Sequence, residues 1–294
     1  MRAVQVTRFG GPEVLSLVEV EQPAPISTEV LVRVMAAGVN PVDCKTRRGE
    51  GVARWMGTPP FVVGWDVCGT VEAMGYGVTR FQVGDVVFGM PRFPRSAGGY
   101  AEYVTAPSRQ LARVPEGTSL FEAAALPLAA LTAWQCLVDT AQISDGQTVL
   151  VHGATGGVGH LAVQIAESRG ARVVAGRRRG DRDALASRDI DVALDLVGGA
   201  DTEALLGTLR EGGILLAVAE GADERVKAEA MRRGVRVVEP LVEPDGCGLE
   251  AIAQLVASRR LKVNVEEVLP LDQAARAHDA LERGGRAGKL VLSV

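Results

Sequence analysis

The sequence predicts an α/β protein in two parts: a barrel of short antiparallel strands made from both chain ends, and an inserted domain built on a parallel sheet. Residues 1–118 hold short, Val-rich runs separated by Gly, Pro and Asp, which is typical of small antiparallel barrels. In residues 119–261 strand and helix patterns alternate, which indicates a parallel sheet covered on both faces. Residues 262–294 return to a strand, a helix and a final strand, so we expect them to complete the barrel.

Each part has its own local signals. The barrel strands are expected in the runs AVQVTRF, LSLVEVE, EVLVRVMAAGV, DVCGTVEAMG and DVVFGM. The helical pattern begins at SLFE, where Ser119 and Glu122 have the spacing of a capping box, and the Ala- and Leu-rich run after it is interrupted by Pro127. In the inserted domain, strands are expected in TVLVHG, ARVVAG, DVALDLVGG, GILLAVAE and VRVVEPLVE, with helical stretches between them.

Composition excludes several classes of protein. The net charge is −4, and basic residues are spread along the chain, which argues against nucleic acid as the main partner. No apolar run reaches the roughly 18 residues of a membrane span and the N-terminus lacks a signal peptide's apolar core, so a cytoplasmic protein is the default expectation. The four cysteines show no CxxC pairing, which predicts free thiols rather than a disulfide framework or a zinc ribbon.

A glycine-rich stretch, HGATGGVG, leaves a predicted strand and opens a predicted helix. Its spacing Ala154-x-Gly156-x-x-Gly159 is a variant of the dinucleotide fingerprint, with alanine in place of the first glycine. Glycines there allow a tight turn and let main-chain N–H groups approach a pyrophosphate at the helix N-terminus. The alternative is a Gly-rich turn in an ordinary α/β protein.

An arginine run follows the second strand of the inserted domain, where a cofactor without a 2′-phosphate would be expected to meet an Asp or Glu. Gly176 is followed by Arg177, Arg178 and Arg179, and guanidinium groups pair bidentately with phosphate. The run therefore predicts NADP(H), with Arg177 and Arg178 as the phosphate ligands. The alternative is a solvated charge run that opens a loop.

Several motifs, in this order, resemble the zinc-independent quinone and enone oxidoreductase branch of the medium-chain dehydrogenase/reductase superfamily. They include EVLVRVMAAGVNPVDCKTRRG, VGWDVCGTVEAMG, GGYAEYV, LPLAALTAW and HGATGGVG, and the likeness covers nearly the whole chain. The resemblance implies a GroES-like catalytic domain (1–118 and 262–294) and a doubly wound Rossmann domain (119–261) with a cleft between them in which the nicotinamide meets substrate.

The residues at the metal positions of zinc-dependent relatives argue against zinc. Asn40 stands where those relatives have a cysteine, and Trp65-Asp66 stands where they have a His-Glu pair; tryptophan cannot ligate zinc. The four-cysteine lobe is replaced by a short segment. Without a metal to polarise an alcohol oxygen, an electron-poor acceptor is favoured over alcohol oxidation.

The resemblance also implies site residues, each with an alternative. The Asn40 amide would lie near the nicotinamide ribose or the acceptor oxygen, or else satisfy a turn before Pro41. Thr132 would lie beside the nicotinamide, or bond its own helix backbone. Lys45 would donate to a substrate oxygen, or be a solvated lysine. The remaining cofactor contacts would be Ala154, Thr155, Gly156, Gly157, Val158, Gly159, Val197, Gly198, Ala219, Leu241 and Val242.

Four aromatic residues, Trp55, Trp65, Phe93 and Tyr100, are expected to rim the substrate side, where a flat conjugated molecule stacks well. Alternatively, each plugs the barrel. Of the histidines, His152 is expected to be satisfied by backbone, and His160 and His278 to lie on helix surfaces.

One segment departs from the family. Between ARVVAG and DVALDLVGG the chain has room for about one short helix, where the family usually fits helix, strand and helix, so we expect a shortened sheet edge on the adenosine side.

These observations predict an NADPH-dependent reductase of a small-molecule quinone or enone, expected as a homodimer. The alternatives are an enoyl reductase acting on thioester-linked acyl chains and a non-catalytic NADPH-binding scaffold or sensor.

Overall fold

The computed structural model describes residues 1–176, 180–285 and 287–294. Its strands are β1 (Arg2–Val6), β2 (Leu15–Glu19), β3 (Glu29–Val39), β4 (Phe61–Val62), β5 (Val67–Met74), β6 (Val86–Gly89), β7 (Tyr103–Pro107), β8 (Leu111–Arg113), β9 (Thr148–His152), β10 (Arg172–Gly176), β11 (Ile190–Asp195), β12 (Leu209–Ala217), β13 (Arg236–Val238), β14 (Val265–Pro270) and β15 (Lys289–Ser293). Its α-helices are α1 (Pro41–Arg47), α2 (Leu120–Ala125), α3 (Pro127–Trp134), α4 (Gly159–Ser168), α5 (Arg182–Leu185), α6 (Asp201–Leu206), α7 (Glu224–Arg232), α8 (Gly246–Ala257) and α9 (Ala274–Arg283).

The chain divides into two compact units. The barrel unit comprises Met1–Leu131, Glu243–Arg259 and Val263–Val294, and the α/β unit comprises Thr132–Val242 and Arg260–Lys262. Residues 119–131 and 243–259, which the sequence assigned to the inserted domain, cluster with the barrel unit. The limits of the functional domains near residues 118 and 262 stay a prediction.

In the barrel unit, the last strand of the chain pairs with an early one. One sheet has the order β14-β15-β3-β5-β6-β8, with β7 also paired to β3, and a second has the order β2-β1-β4. β15 runs antiparallel to β3, with Leu290 opposite Val39 and Val291 opposite Gly38. The pairing confirms that the C-terminal segment completes the barrel.

The α/β unit is built on a parallel sheet of strand order β10-β9-β11-β12-β13. Val149, Leu150 and Val151 on β9 are all fully buried, so both faces of the sheet are covered, as predicted. Between β10 and β11 the described residues contain one four-residue helix, α5. The shortening expected from the sequence is therefore confirmed, and it leaves β10 at the sheet edge in the described part of the chain.

The start of the helical region follows its sequence signals. Ser119 caps α2: its side chain accepts from the Glu122 N–H at 3.2 Å, and the Glu122 carboxylate accepts from the Ser119 N–H at 3.0 Å. Pro127 is the first residue of α3, where a missing N–H costs no helical hydrogen bond. Among the described residues, no helix is both long and apolar enough to cross a membrane.

Candidate active site

A tight turn joins β9 to α4 in the α/β unit. The N–H groups of Gly153 and Ala154 both donate to the Gly176 carbonyl at the end of β10, at 2.7 and 2.9 Å. Gly153 has a φ of +90°, a left-handed conformation that favours glycine. The sequence had put alanine in the role of the first fingerprint glycine, at Ala154. The structure shows that Gly153, one residue earlier, supplies the turn that this role requires.

The two later fingerprint glycines differ in how much room they leave. A Cβ on Gly159 would lie 2.1 Å from the Gly153 carbonyl oxygen and 2.8 Å from Ala154 Cα, so no side chain fits there. A Cβ on Gly156 would lie 3.3 Å from the Gly153 oxygen, a tight contact that small shifts relieve. A turn this close to the helix N-terminus fits the cradle that a pyrophosphate requires.

The loop after β11 is organised by a buried carboxylate. Asp195 Oδ1 accepts from the N–H groups of Val197 and Gly198 at 3.0 and 2.9 Å, and Asp195 Oδ2 accepts from the Thr202 hydroxyl at 2.7 Å. Asp195 thus fixes two of the residues that the resemblance implies as cofactor contacts. The sequence analysis missed it, although an Asp at a strand end, three residues before a Gly pair, is a turn signal.

The other residues implied as cofactor contacts lie on different parts of the chain. Thr155 is exposed, Gly157 and Val158 are half-buried in the turn, Ala219 follows β12, Leu241 is exposed, and Val242 is half-buried. Thr132 lies on α3 and is nearly buried. Arg177 and Arg178 lie outside the described residues, so the predicted phosphate ligands stay a prediction.

His152, the last residue of β9, is fully buried. Its Nε2 lies 3.1 Å from Asp201 Oδ2, and the same carboxylate oxygen accepts from the Gly180 N–H at 2.7 Å. The prediction that His152 is satisfied by backbone is wrong, because its partner is the Asp201 carboxylate. The same carboxylate also binds the backbone of the shortened segment between β10 and β11, at Gly180.

The barrel unit contains a buried polar centre, formed by Asn40, Asp43, Asp66 and Lys289. Asn40 follows β3 and its Nδ2 donates to Asp66 Oδ2 at 2.8 Å. The Lys289 ammonium donates to Asn40 Oδ1 and to the Val39 carbonyl, the latter at 3.1 Å, and lies 3.8 Å from Asp66 Oδ2. Asp66 Oδ1 accepts from the Leu128 N–H at 2.8 Å. Two opposite charges and an amide are therefore held together away from water.

Burial and mutual attraction have opposite effects on the pKa values of Asp66 and Lys289. Burial raises the pKa of Asp66, opposed first by the charge of Lys289 and then by the hydrogen bond from Asn40. Burial lowers the pKa of Lys289, opposed by Asp66 and Asp43. The attraction between Asp66 and Lys289 offsets part of the cost of burying each charge, so removing either residue would make the charged form of the other unfavourable.

Asp43 connects the polar centre to a second buried hydrogen-bond network, formed with Tyr100, His278 and Arg47. Asp43 Oδ2 accepts from the Asn40 N–H at 2.7 Å and from the Tyr100 hydroxyl at 3.0 Å. Tyr100 lies 3.3 Å from His278 Nε2, and the other ring nitrogen lies 3.4 Å from an Arg47 guanidinium nitrogen. Since Arg47 only donates, His278 Nδ1 accepts and Nε2 carries the proton. Through the bond from the Asn40 N–H, Asp43 fixes the turn that begins α1.

Burial strongly shifts the pKa values of two groups in this network. It raises the pKa of Asp43 to about 7 and lowers the pKa of His278 to about 3. His278 is fully buried, so the prediction of a helix-surface residue is wrong: its face of α9 packs inward.

Three of the four aromatic residues expected on the substrate side are buried in this structure. Trp65 and Tyr100 have no exposed surface and Phe93 is 6% exposed. Trp65 Nε1 donates to the Arg95 carbonyl at 2.8 Å, and the Phe93 ring meets the indole edge-on at 5.2 Å. These positions agree with the alternative of plugging the barrel.

Two predicted substrate-side residues are more accessible. Trp55 is 41% exposed, with the Arg54 guanidinium 4.0 Å from its ring centroid. Lys45 is half-buried on α1. Their contact with substrate stays a prediction.

The residues at the zinc positions, Asn40 and Trp65-Asp66, are bonded to other groups of the protein. The indole N–H of Trp65 is donated to protein, and the Asn40 amide is bonded at both ends. Among the described residues, no group of three or more His, Cys, Asp or Glu is arranged to hold a metal ion.

Comparisons with known proteins match the whole chain. A family model described as "Alcohol dehydrogenase GroES-like domain" matches residues 27–116, and one described as "Zinc-binding dehydrogenase" matches residues 162–292. The Homo sapiens quinone oxidoreductase is 31% identical over 99% of this chain and 97% of its own length. That alignment runs over 325 positions, more than the 294 residues of this chain, which agrees with an internal shortening.

Solved structures match equally completely. The quinone oxidoreductase from Coxiella burnetii superposes with a TM-score of 0.90 at 32% identity, covering 100% of this chain and 99% of that one. A mycobacterial protein solved in complex with NADPH superposes with a TM-score of 0.86 at 31% identity, covering all of both chains.

Proposed function

This chain belongs to the quinone oxidoreductase branch of the medium-chain dehydrogenase/reductase superfamily, and we propose that it is an NADPH-dependent reductase of quinones or α,β-unsaturated carbonyls that works without a metal. The observation that carries the proposal is the likeness along the entire chain to quinone oxidoreductases and to a mycobacterial protein of 31% identity that was solved in complex with NADPH. Membership of the family supports an oxidoreductase that uses a nicotinamide dinucleotide; the acceptor, the preference for NADPH and the independence from zinc are the parts proposed here.

The glycine turn of the α/β unit is the proposed pyrophosphate site. Gly159 has no room for a side chain, and Gly153 anchors the turn to the end of β10. The turn therefore presents backbone N–H groups rather than side chains to an anion. Asp195 holds Val197 and Gly198, which with Ala219, Leu241 and Val242 are proposed to cover the cofactor.

NADPH, when bound, supplies the hydride. The protein's own contribution is to hold donor and acceptor in contact, which converts a bimolecular step into an effectively unimolecular one. Asn40 and Thr132 are proposed to contact the nicotinamide or the acceptor, and Lys45 and Trp55 the substrate.

Metal independence is supported by the donor set at the zinc positions. Trp65 is buried and donates its only polar hydrogen to protein, and tryptophan offers no lone pair to zinc. An acceptor that is already electron-poor needs no Lewis acid to take a hydride.

The preference for NADPH over NADH is proposed from Arg177 and Arg178. Two guanidinium groups after β10 would pair with a 2′-phosphate and would leave the NADH ribose without its usual acidic partner.

The decisive experiment follows NADPH absorbance with a panel of quinones, alkenals and crotonyl thioesters, with NADH in parallel and elemental analysis of the same sample. We expect turnover of a quinone or an alkenal, at least about tenfold better with NADPH than with NADH, equivalent to about 1.4 kcal/mol.

Other outcomes decide between the alternatives. Turnover of thioesters alone would identify an enoyl reductase, and tight NADPH binding without oxidation would identify a scaffold. Stoichiometric zinc would overturn metal independence, and a preference for NADH would overturn the role of the arginines. The homodimer stays a prediction.

A further inference from the structure

The amide of Asn40 is held at both ends by groups of opposite charge. Its oxygen accepts from the Lys289 ammonium, and its nitrogen donates to Asp66 Oδ2 at 2.8 Å. All three side chains are buried, with relative exposures of 1% for Asn40, 0% for Asp66 and 4% for Lys289. The backbone of Asn40 is fixed as well, because its N–H donates to Asp43 Oδ2 at 2.7 Å.

This arrangement determines which end of the amide is which. An ammonium has only donors and an ionised carboxylate only acceptors. Turning the amide by 180° would set its oxygen against the Asp66 carboxylate and its NH₂ group against the ammonium, which would lose both hydrogen bonds. Asn40 is therefore held in one orientation.

The same charges polarise the amide. A cation at the oxygen and an anion at the nitrogen both favour the resonance form with negative oxygen and positive nitrogen. Hydrogen bonds in such chains strengthen one another in a buried, low-dielectric environment. The second Nδ2–H of Asn40, which has no acceptor among the described residues, becomes a stronger donor.

The chain is shaped around this cluster. A Cβ on Gly38 would lie 2.9 Å from both Cβ and Oδ2 of Asp66 and 2.4 Å from the Ala124 carbonyl oxygen. Only glycine lets β3 come this close to Asp66. An apolar pair of similar volume is often as stable as a buried ion pair or more so, so packing alone does not explain Lys289 and Asp66.

We propose that Lys289 and Asp66 are positioning residues that orient and polarise Asn40, so that Asn40 acts on its ligand as a hydrogen-bond donor and not as an acceptor. This deepens the proposed function and rests on it. A donor of this kind stabilises negative charge that develops on an acceptor oxygen during hydride transfer.

The first test is a double-mutant cycle on kcat/KM with the quinone or enone that the panel identifies. Asn40→Ala is expected to lower kcat/KM about 100-fold, and Lys289→Met about 10-fold or more. If Lys289 acts through Asn40, adding Lys289→Met to Asn40→Ala changes kcat/KM less than about twofold. Multiplying effects would overturn the proposal.

Stability is separated from positioning by a second variant. Lys289→Met leaves Asp66 buried without its cation, whereas Lys289→Met/Asp66→Asn removes both charges. The double variant is expected to regain most of the melting temperature lost by Lys289→Met while its kcat stays low. Recovery of kcat together with stability would overturn the proposal. Ser293→Ala, on the same strand, is the matched control and is expected to keep wild-type kcat.

A readout independent of activity is the side-chain amide resonance pair of Asn40 in ¹⁵N-labelled protein, assigned by its loss in Asn40→Ala. Lys289→Met is expected to move both proton resonances, and Ser293→Ala to leave them in place. An Asn40 pair that is unchanged by Lys289→Met would overturn the proposal. If the wild-type protein reduces no acceptor, the proposed function fails, and the resonances still decide whether Lys289 orients Asn40.

Discussion

The polar centre of the barrel unit and the glycine turn of the α/β unit are built by opposite means. In the polar centre, side chains that carry charge, such as Lys289 and Asp66, are buried against one another. In the glycine turn, the backbone does the work: Gly153 and Ala154 bond the end of β10, and Gly159 is bare because its surroundings leave no space.

The difference teaches where each region is vulnerable. A site made of backbone tolerates changes in charge but not an added carbon atom. A site made of buried charges tolerates little removal, because a deleted partner leaves its counterpart desolvated and unpaired. Each prediction below therefore either adds a carbon atom to the glycine turn or changes a buried or surface charge in the barrel unit.

The largest effect is expected from Gly159→Ala. Its Cβ would lie 2.1 Å from a backbone oxygen, and the turn cannot move without breaking its bonds to Gly176. Alanine favours a helix by about 1 kcal/mol over glycine, but we expect the clash to win and to lower the free energy of unfolding by about 3 to 4 kcal/mol. NADPH affinity is expected to fall at least about 100-fold, measured by calorimetry.

Gly156→Ala is the matched control for this substitution. Its Cβ contact of 3.3 Å can relax, so we expect a loss of stability below about 1 kcal/mol. Equal losses for the two variants would contradict the description of the turn.

The next effect is expected from Arg47→Met in the barrel unit. The Arg47 guanidinium is 1% exposed and donates to both carboxylate oxygens of Glu282, at 2.7 and 2.9 Å, and to the Gly10 carbonyl at 3.1 Å. Glu282 is 25% exposed and keeps Arg48 as a partner, so we expect the loss of the buried Arg47 guanidinium to cost about 2 to 3 kcal/mol, less than the loss of one partner from a fully buried pair. Urea unfolding would measure the loss.

Arg48→Met tests the same carboxylate from the surface. Arg48 also pairs with Glu282 but is solvent-accessible, so we expect its loss to cost less than about 1 kcal/mol. Similar costs at positions 47 and 48 would show that burial does not set the strength of these pairs.

The smallest net effect is expected from titration of Asp43 and His278, because each group changes the free energy of unfolding by at most about 1.4 kcal/mol per pH unit and the two changes have opposite signs. The pKa of Asp43 is raised by burial to about 7, so its contribution to stability is full below about pH 4 and is lost as pH rises towards 7. The pKa of His278 is lowered by burial to about 3, so its contribution is full above about pH 6.5 and is lost as pH falls towards 3. Between about pH 4 and 6.5 the two slopes oppose each other.

Single variants should separate these slopes. Relative to wild type, His278→Gln should lose stability with rising pH across that window, and Asp43→Asn should gain it, in urea titrations at several pH values. Parallel pH profiles for the two variants and wild type would refute the assigned pKa directions.

Much of the fold was readable from the sequence because its signals are local. The capping box at Ser119, the proline that begins α3, the buried run of β9 and the shortened segment after β10 each depend on neighbouring residues. The glycine turn was readable for the same reason, apart from the shift of the first glycine role to Gly153.

The buried polar groups were not readable. His278 has the pattern of a surface residue on an amphipathic helix, and Trp65 and Tyr100 have the composition of binding-site aromatics. Their burial follows from which elements pack together. Lys289 is the clearest example of a burial that local sequence does not predict, since a lysine at the start of a strand is normally exposed.

By itself, the sequence determined the alternation of strands and helices, the glycine turn between β9 and α4, and the family, because each of these is written in residues close together along the chain. Only the tertiary structure decided that Lys289 binds the amide of Asn40, 249 positions away, and that Asp66 faces both. The reason is physical: the free energy of a buried charge depends on its neighbours in space, which the pairing of β15 with β3 selects.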